Sequence, residues 1–264
     1  MKREYAPVVV KIGGTVATDP DRLGNLFADL ASLESPPVLV HGGGVAVSSL
    51  SRRLGLEPRF QDGIRITSPE EMDIADMVLG GSVNTALVRL ASHAGIAAVG
   101  LTGADAGLLT GRTIGADGSR TARPLRVDPK VVTLLLSAGY LPVVASVATG
   151  EDGGAVNVNA DDAAQAVAEA LPRAVLCYLS DIPGVLDLSG AVIPRIGTSE
   201  VESLIGSGVA RDGMAAKLRS SAAAVESGVA RVVIGTIEAP GDVARLLSGT
   251  QGTQIMAALD RGNQ

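Results

Sequence analysis

Apolar positions along the chain alternate between two patterns. Short unbroken runs predict buried strands, and stretches spaced at 3.6 residues predict helices packed on them. Val8-Val9-Val10 is the first run, three β-branched residues together. Pro20 then opens a helix with Leu23, Leu26, Phe27, Leu30 and Leu33 on one face. Val38-Leu39-Val40 predicts a second buried strand, followed by a helix over 46–54. A strand, a helix and a strand in sequence make a right-handed parallel crossover. The segment 60–67 reads as a hairpin or an extended loop. Ser68 and Glu71 form a capping-box pattern that starts a long helix running toward His93. Gly80-Gly81 inside it marks a kink or a close contact.

Farther on, the pattern predicts a strand over 96–101 and a turn-rich, hairpin-like segment over 105–126 with its tip at 116–119. A helix over 128–137 and a strand over 141–145 follow. After a turn at 151–154, the stretch 156–159 is extended and 160–170 is helical. An apolar strand over 174–179 precedes a small hairpin over 185–196. Helices over 199–205, 213–227 and 241–247 surround a strand over 231–234, and 253–256 closes the sheet. No linker, internal repeat or low-complexity tract interrupts the chain. The expectation is two lobes sharing one sheet, divided near Pro172 into 1–172 and 173–264.

Composition sharpens this picture. Hydrophobic residues make up 46% of the 264, but aromatic residues only 2%, so the core is aliphatic. That suits a parallel sheet covered by Ala/Leu-rich helices. The net charge is −6 with no basic cluster, which argues against nucleic-acid binding. Cys177 is the single cysteine and lies in an apolar run. It excludes an intramolecular disulfide framework and a cysteine-based zinc site. Met1-Lys2-Arg3-Glu4 leads directly into a strand, and no apolar run reaches membrane-spanning length. The expectation is a cytoplasmic protein without a membrane partner. The cations are 18 arginines and only four lysines. A retained lysine therefore invites attention, because a compact ammonium does what a guanidinium cannot. Lys2 is terminal, and Lys130 follows Asp128-Pro129 at an exposed helix start. Lys11 and Lys217 sit beside glycines.

Four stretches could carry chemistry. In the first, Lys11-Ile12-Gly13-Gly14, a cation stands beside bare amides, a good arrangement for a phosphate. A buried strand with a snorkelling lysine fits equally well. The second is Gly42-Gly43-Gly44 after His41. It matches neither the phosphate loop of the nucleotide hydrolases nor the dinucleotide fingerprint. It leaves a helix N-terminus open to an anion, or simple closeness of helix and strand. His41 at a strand end is an orienting or core residue more often than a catalytic one. The third is Asn157-Val158-Asn159-Ala160-Asp161-Asp162. Alternation aims Asn157 and Asn159 to one side. The two aspartates occupy a helix first turn, where they cap the dipole or hold lysines or magnesium, Asp161 being the better choice. In the fourth, 209–217, the loop ends at Asp212-Gly213 and Lys217 falls one turn into the next helix. Phosphoryl transfer needs cations around the moving group and donors aimed at its oxygens, and no covalent nucleophile.

These stretches resemble the amino-acid kinase family, and within it the branch that phosphorylates N-acetyl-L-glutamate. The likeness runs from Val8 to Met256, with five motifs in the family's order and spacing: 10–14, 40–44, 62–67, 157–161 and 212–217. It implies a three-layer α/β fold with an open, mainly parallel eight-stranded sheet between helices. The amino-terminal lobe would hold the acyl amino acid and form the dimer, and the carboxyl-terminal lobe would hold ATP. Carried over, Lys11 and Lys217 stabilise the transferring phosphoryl and Asp161 orients both. Gly43 and Gly44 donate from the backbone, and Arg65 and Asn157 grip the substrate's α-carboxylate. Gly13 and Gly14 form a cradle on the nucleotide side. Asp181, Ile182, Pro183, Gly184, Val185 and Leu186, with Val209, Ala210 and Arg211, line the nucleotide pocket. Mg2+ rides on the ATP phosphates.

Two stretches depart from the family pattern. Thr121-Ala122-Arg123-Pro124-Leu125 stands where Val-Gly-Glu is common, and Asp212-Gly213-Met214 where Gly-Gly-Met is usual. The chain begins at the first strand, so the resemblance implies the arginine-insensitive homodimeric kind rather than the hexamer with an added amino-terminal helix. Rival readings are a kinase for an N-blocked aminoadipate and a non-catalytic amino-acid or nucleotide sensor. A uridylate or carbamate kinase has no evident use for Arg65 paired with Asn157. Retention of both lysines and Asp161 argues against the sensor.

Overall fold

β-Branched and aliphatic runs build a single eight-stranded sheet at the centre of the protein. The computed structural model describes residues 6–34, 37–61, 63–115 and 118–257, with Thr15 described in its backbone only. Lys2, Asp62 and the hairpin tip at 116–117 lie outside the described residues. In chain order the strands are β1 (Val8–Ile12), β2 (Val38–His41), β3 (Arg59–Gln61), β4 (Ile64–Ile66), β5 (Ala98–Leu101), β6 (Leu109–Thr113) and β7 (Thr121–Val127). They continue with β8 (Leu141–Ala145), β9 (Val147–Gly150), β10 (Ala155–Val158), β11 (Val175–Leu179), β12 (Arg195–Gly197), β13 (Arg231–Gly235) and β14 (Thr253–Met256). The main sheet runs β12-β14-β13-β11-β1-β2-β8-β5. Its pairs are parallel except β13 with β14. The four strands from before residue 172 occupy one half and the four from after it the other. They meet where β1 pairs with β11, Lys11 opposite Tyr178.

Among the described residues ten α-helices accompany the sheet: α1 (Gly14–Thr18), α2 (Pro20–Ala31), α3 (Gly44–Arg53), α4 (Pro69–Ala75), α5 (Asn84–His93), α6 (Lys130–Ser137), α7 (Ala160–Glu169), α8 (Val201–Gly206), α9 (Asp212–Glu226) and α10 (Asp242–Ser248). The sheet separates two apolar layers. Val9, Val40, Leu176, Tyr178, Val232 and Ile234 face one, with α7 and α9 packed on it; Val10, Ile12, Leu39, Cys177 and Val233 face the other, covered by α2 and α10. Alternate residues of β1, β2, β11 and β13 thus serve opposite layers, and both sets are buried. On the α2 side the two halves are tied by polar contacts. The buried Asp29 carboxylate accepts from Gly241 N–H at 2.6 Å and Val243 N–H at 2.9 Å, capping α10. Arg22 reaches Glu238 at 2.7 Å.

The predicted capping box is present, Ser68 accepting from Glu71 N–H while Glu71 accepts from Ser68 N–H. The long helix runs unbroken from Pro69 to His93, and Gly80-Gly81 mark a π-helical segment, Asp76–Val83, rather than a break. A Cβ at Gly80 would stand 3.0 Å from Thr102, so the glycine lets the helix approach the loop after β5. This helix corrects one expectation. At 25 residues, with a best stretch of mean hydropathy 1.2, it is long and apolar enough to cross a membrane. Here it packs on the protein core through Met72, Ile74, Val78, Leu79, Leu87 and Ala91.

Two other segments differ from the sequence reading. The hairpin expected over 185–196 reduces to a single bridge between Leu186 and Val192, and its far end becomes β12, parallel to β14 at the sheet edge. The 105–126 hairpin forms as β6–β7, but it also closes with β9 and β10 into a small four-stranded barrel. Such closure depends on partners tens of residues away, which local patterning does not encode.

Candidate active site

The carboxyl ends of β1 and β2 open into one cavity of about 600 Å³. Ligands of open α/β sheets bind at this edge. Lys11, Gly13, Gly14, Gly43, Gly44, Arg65, Asn157 and Asp161 all line it. Eight of the residues singled out from the sequence therefore share one space. A neighbouring cavity of about 700 Å³ shares Ile64, Arg65 and Thr121 but contains neither lysine nor Asp161. Lys11 and Asp161 thus belong to the first alone.

The centre is a lysine–aspartate–lysine triad. Lys11 Nζ lies 2.6 Å from Asp161 Oδ1, and Lys217 Nζ lies 3.1 Å from Oδ2. Lys11 stands on β1, and Lys217 points in from α9, supplied by the other half of the sheet. Asp161 sits in the first turn of α7, capped by Asn159, whose Oδ1 accepts from Asp161 N–H at 2.8 Å. Asn159 therefore does not continue the strand alternation as expected. β10 ends at Val158 and Asn159 turns to cap the helix, still bordering the cavity. Burial pushes the Asp161 carboxyl up, but the ammonium groups of Lys11 and Lys217 outweigh it and hold it below the usual carboxylate range. The aspartate is ionised, and two cations against one anion leave a surplus positive charge beside the glycines. Asp162 stays outside the triad; burial, then the charge of Asp161, pushes its carboxyl up.

The glycines are placed for close approach. Gly43 is the N-cap of α3, and Gly44 is its first residue, so their N–H groups have no intrahelical partner. A Cβ at Gly42 would stand 3.2 Å from Ala160, and one at Gly43 2.7 Å from Leu79. Gly13 N–H is already committed to Leu179 O at 3.0 Å, which sets the turn after β1.

Arg65, on β4, is 8% exposed. Its Nη2 donates to Gly44 O at 2.9 Å and to Ser48 Oγ, and its guanidinium lies over the Phe60 ring, 4.8 Å from the centroid. Nη1 has no hydrogen-bond partner among the described residues and stands 3.9 Å from Glu71 Oε1. A buried donor left unpaired in a cavity wall is costly without an acceptor from a ligand. Burial pulls the guanidinium below its ordinary value while Glu71 holds it up, and it stays charged. Asn157 donates to Thr67 Oγ1 at 3.0 Å, which fixes its amide beside Arg65.

The remaining predicted residues lie beyond the next strand, outside the lining of this cavity. Residues 181–186 follow the carboxyl end of β11, and 209–211 lead into α9. Val185 and Ala210 are 1% exposed, with Ile182 and Val209 packed on the same core, so the two segments share one underlayer. Asp181, Pro183, Leu186 and Arg211 are exposed. Gly184 has φ +156, and a Cβ there would meet Thr253 Oγ1 at 2.7 Å; the loop fits only without a side chain.

Several participants escaped the sequence reading. The Tyr178 ring supports Lys217 Nζ at 4.8 Å from its centroid, and its hydroxyl donates to Asp161 O at 3.4 Å. A tyrosine in an aliphatic strand, one of three in the chain, was the available signal. Ser48 gave none, being an ordinary polar residue on a helix, and Thr67 was carried only as the last residue of the 62–67 motif.

The model of the Amino acid kinase family matches residues 6–236. Acetylglutamate kinase from Chloroflexus aurantiacus is 44% identical over 234 residues, covering 86% of this chain and 90% of that protein. Acetylglutamate kinase from Methanopyrus kandleri is 41% identical over 251 residues, covering 90% and 99%. Among solved structures, N-acetylglutamate synthase from Neisseria gonorrhoeae, complexed with coenzyme A and N-acetyl-glutamate, superposes with a TM-score of 0.82 at 24% identity. That match covers 96% of this chain and 60% of the synthase, a likeness of fold. A family model spanning most of the sequence, and full-length relatives above 40% identity, lead to one conclusion: the chain belongs to the amino acid kinase family.

Proposed function

We propose that this chain transfers the γ-phosphoryl of ATP to the side-chain carboxylate of N-acetyl-L-glutamate, giving N-acetylglutamyl 5-phosphate and ADP, a step of arginine biosynthesis. The observation that carries the reading is the pair of lysines from opposite halves meeting on Asp161 at the edge of a glycine-lined cavity. Relatives named acetylglutamate kinase, 44% and 41% identical, supply the substrate.

Each residue then has a role. Arg65 and Asn157 hold the α-carboxylate of the acyl amino acid in the amino-terminal lobe, 1–172. ATP lies on the carboxyl-terminal lobe, 173–264, along 181–186 and 209–211, with Gly13 and Gly14 beside its phosphates. A side-chain carboxylate is ionised at neutral pH, so no general base is needed. One of its oxygens bonds to the γ-phosphorus as the bond from that phosphorus to the β-γ bridging oxygen breaks. The leaving electron pair stays on ADP. Charge spreads over the equatorial oxygens of the moving group. Lys11 meets it from the acceptor side and Lys217 from the nucleotide side, while Gly43 and Gly44 offer N–H donors. Asp161 keeps the two ammonium groups together and is neutralised by them, so it is not free to ligate a metal. Mg2+ carried on the ATP phosphates would supply neutralisation of their charge.

A homodimer and a cytoplasmic location complete the reading. The sheet ends at β5, an edge strand, and the long helix packed against it exposes Met77 and Leu90. Cys177 is a buried free thiol whose pKa burial raises to about 12, compatible with a reducing compartment.

ADP release with N-acetylglutamate, its aminoadipate homologue and free glutamate tests the acceptor. The expected order in kcat/KM is N-acetylglutamate well above the other two. Preference for the longer homologue would reassign the substrate, and the absence of turnover with all three would favour a sensor.

A further inference from the structure

His41 ends β2 with 0% of its surface exposed, and no step above uses it. Its Nδ1 lies 2.8 Å from Gly42 O, and its Nε2 lies 3.0 Å from Asn84 Nδ2. Gly42 O can only accept, so the first contact calls for a proton on Nδ1. Asn84 points independently to the same tautomer. Its Nδ2 also stands 2.8 Å from Val143 O and 3.3 Å from Leu101 O. Only an NH2 group satisfies carbonyl oxygens, so the orientation of the amide is fixed by its surroundings. An NH2 facing Nε2 requires a lone pair there. The ring proton therefore sits on Nδ1 and is donated to Gly42 O. Burial pushes the imidazole down to about 4, so the ring is neutral at physiological pH.

This bond reaches the cavity through the backbone. A trans peptide holds C=O and N–H antiparallel, and no cis peptide occurs among the described residues. Drawing Gly42 O onto the buried histidine turns Gly43 N–H the opposite way, toward the cavity that Gly42, Gly43 and Gly44 line. The glycine is also pressed from a second side. A Cβ at position 43 would lie 2.7 Å from Leu79 and 3.3 Å from Val83, both from the π-helical segment that leads into Asn84. One stretch of helix, 79–84, thus supports the glycine and sets the histidine. Gly100 makes room for it, since a Cβ there would stand within 2.0 Å of Asn84 Oδ1.

We propose that His41, locked by Asn84 as the Nδ1–H tautomer, is a positioning residue that aims the Gly43 amide at the oxygens of the transferring phosphoryl. The catalytic consequence rests on the kinase reading, but the tautomer does not, so the two fail separately.

Nitrogen NMR of the histidine-labelled protein reads the tautomer directly. The chain has two histidines, and His93→Gln assigns the spectrum. The Nδ1–H pattern is expected for His41 at neutral pH, and an Nε2–H or doubly protonated ring would overturn the proposal. Kinetics test the consequence. His41→Asn puts an amide nitrogen where Nδ1 stood, whereas His41→Gln reaches only the Nε2 position. His41→Asn should keep kcat within about threefold, and His41→Gln should lower it roughly 10–100-fold, as loss of an aimed donor does. The thermal midpoints of the two variants should agree, and the KM for ATP should stay within about twofold of the unaltered protein, since the ATP site is otherwise untouched. Equal kcat in the two variants would overturn the positioning role. Absence of turnover in the unaltered protein would instead remove the kinase reading. The NMR result decides the tautomer in that case, and also if either variant fails to fold.

Discussion

Lys217→Ala lowers kcat by roughly 10²–10³-fold, while the KM for N-acetylglutamate changes by less than about threefold. The asymmetry follows from where the lysine stands. Its ammonium is held 3.1 Å from Asp161 and 4.8 Å from the Tyr178 ring centroid, away from Arg65 and Asn157. It meets negative charge that concentrates on the phosphoryl oxygens during transfer, and an interaction made chiefly in the transition state appears in kcat. Removing it also leaves Asp161 with one cation instead of two, so the surplus positive charge at the glycine edge disappears. Lys217→Arg does not restore the rate, because the guanidinium is planar and larger than the ammonium seated between ring and carboxylate. Steady-state kinetics with both substrates varied checks this. A near-normal kcat in Lys217→Ala would end the role assigned to this lysine.

Arg65→Lys acts on the other parameter. The KM for the acyl amino acid rises roughly 10–100-fold, the magnitude of losing hydrogen bonds to a charged group, and kcat stays within about threefold. Lysine keeps the positive charge that Glu71 requires, so the buried carboxylate is not stranded and the fold survives. It cannot keep the fork, in which Nη2 is anchored on Gly44 O and Ser48 Oγ while Nη1 remains for the ligand. Initial rates across a substrate series, with ATP saturating, measure the change. An unchanged KM would remove the α-carboxylate from Arg65.

Much of this arrangement could be read from the chain. The buried strands declare themselves as β-branched runs, and Val8-Val9-Val10 needs no tertiary information to be recognised. The helix over 69–93 is legible from a capping box that stands in the structure as written. The scarcity of lysine singles out Lys11 and Lys217, and the glycines beside them, Gly13-Gly14 and Gly213, suggest anion chemistry. The contact between these lysines is not local. They are brought together because β11 inserts beside β1 while α9 packs over β13 and β14 against α7, and no periodicity records that arrangement. The barrel of β6, β7, β9 and β10 was hidden for the same reason. β12 was hidden because three residues, Arg195 exposed and Ile196 and Gly197 buried, look like half of a hairpin. Asn84 was the hardest to see. It lies mid-helix as an ordinary polar residue, and its meaning comes from two carbonyls and an imidazole on three different strands.

The most direct measurement of the central claim is product trapping. Hydroxylamine converts an acyl phosphate to a hydroxamate and leaves a phosphate ester untouched. The purified protein, given ATP, Mg2+ and N-acetylglutamate, should form N-acetylglutamyl hydroxamate in equal amount to ADP, and neither product when the amino acid is omitted. ADP without hydroxamate, or no ADP at all, would contradict phosphoryl transfer to a carboxylate.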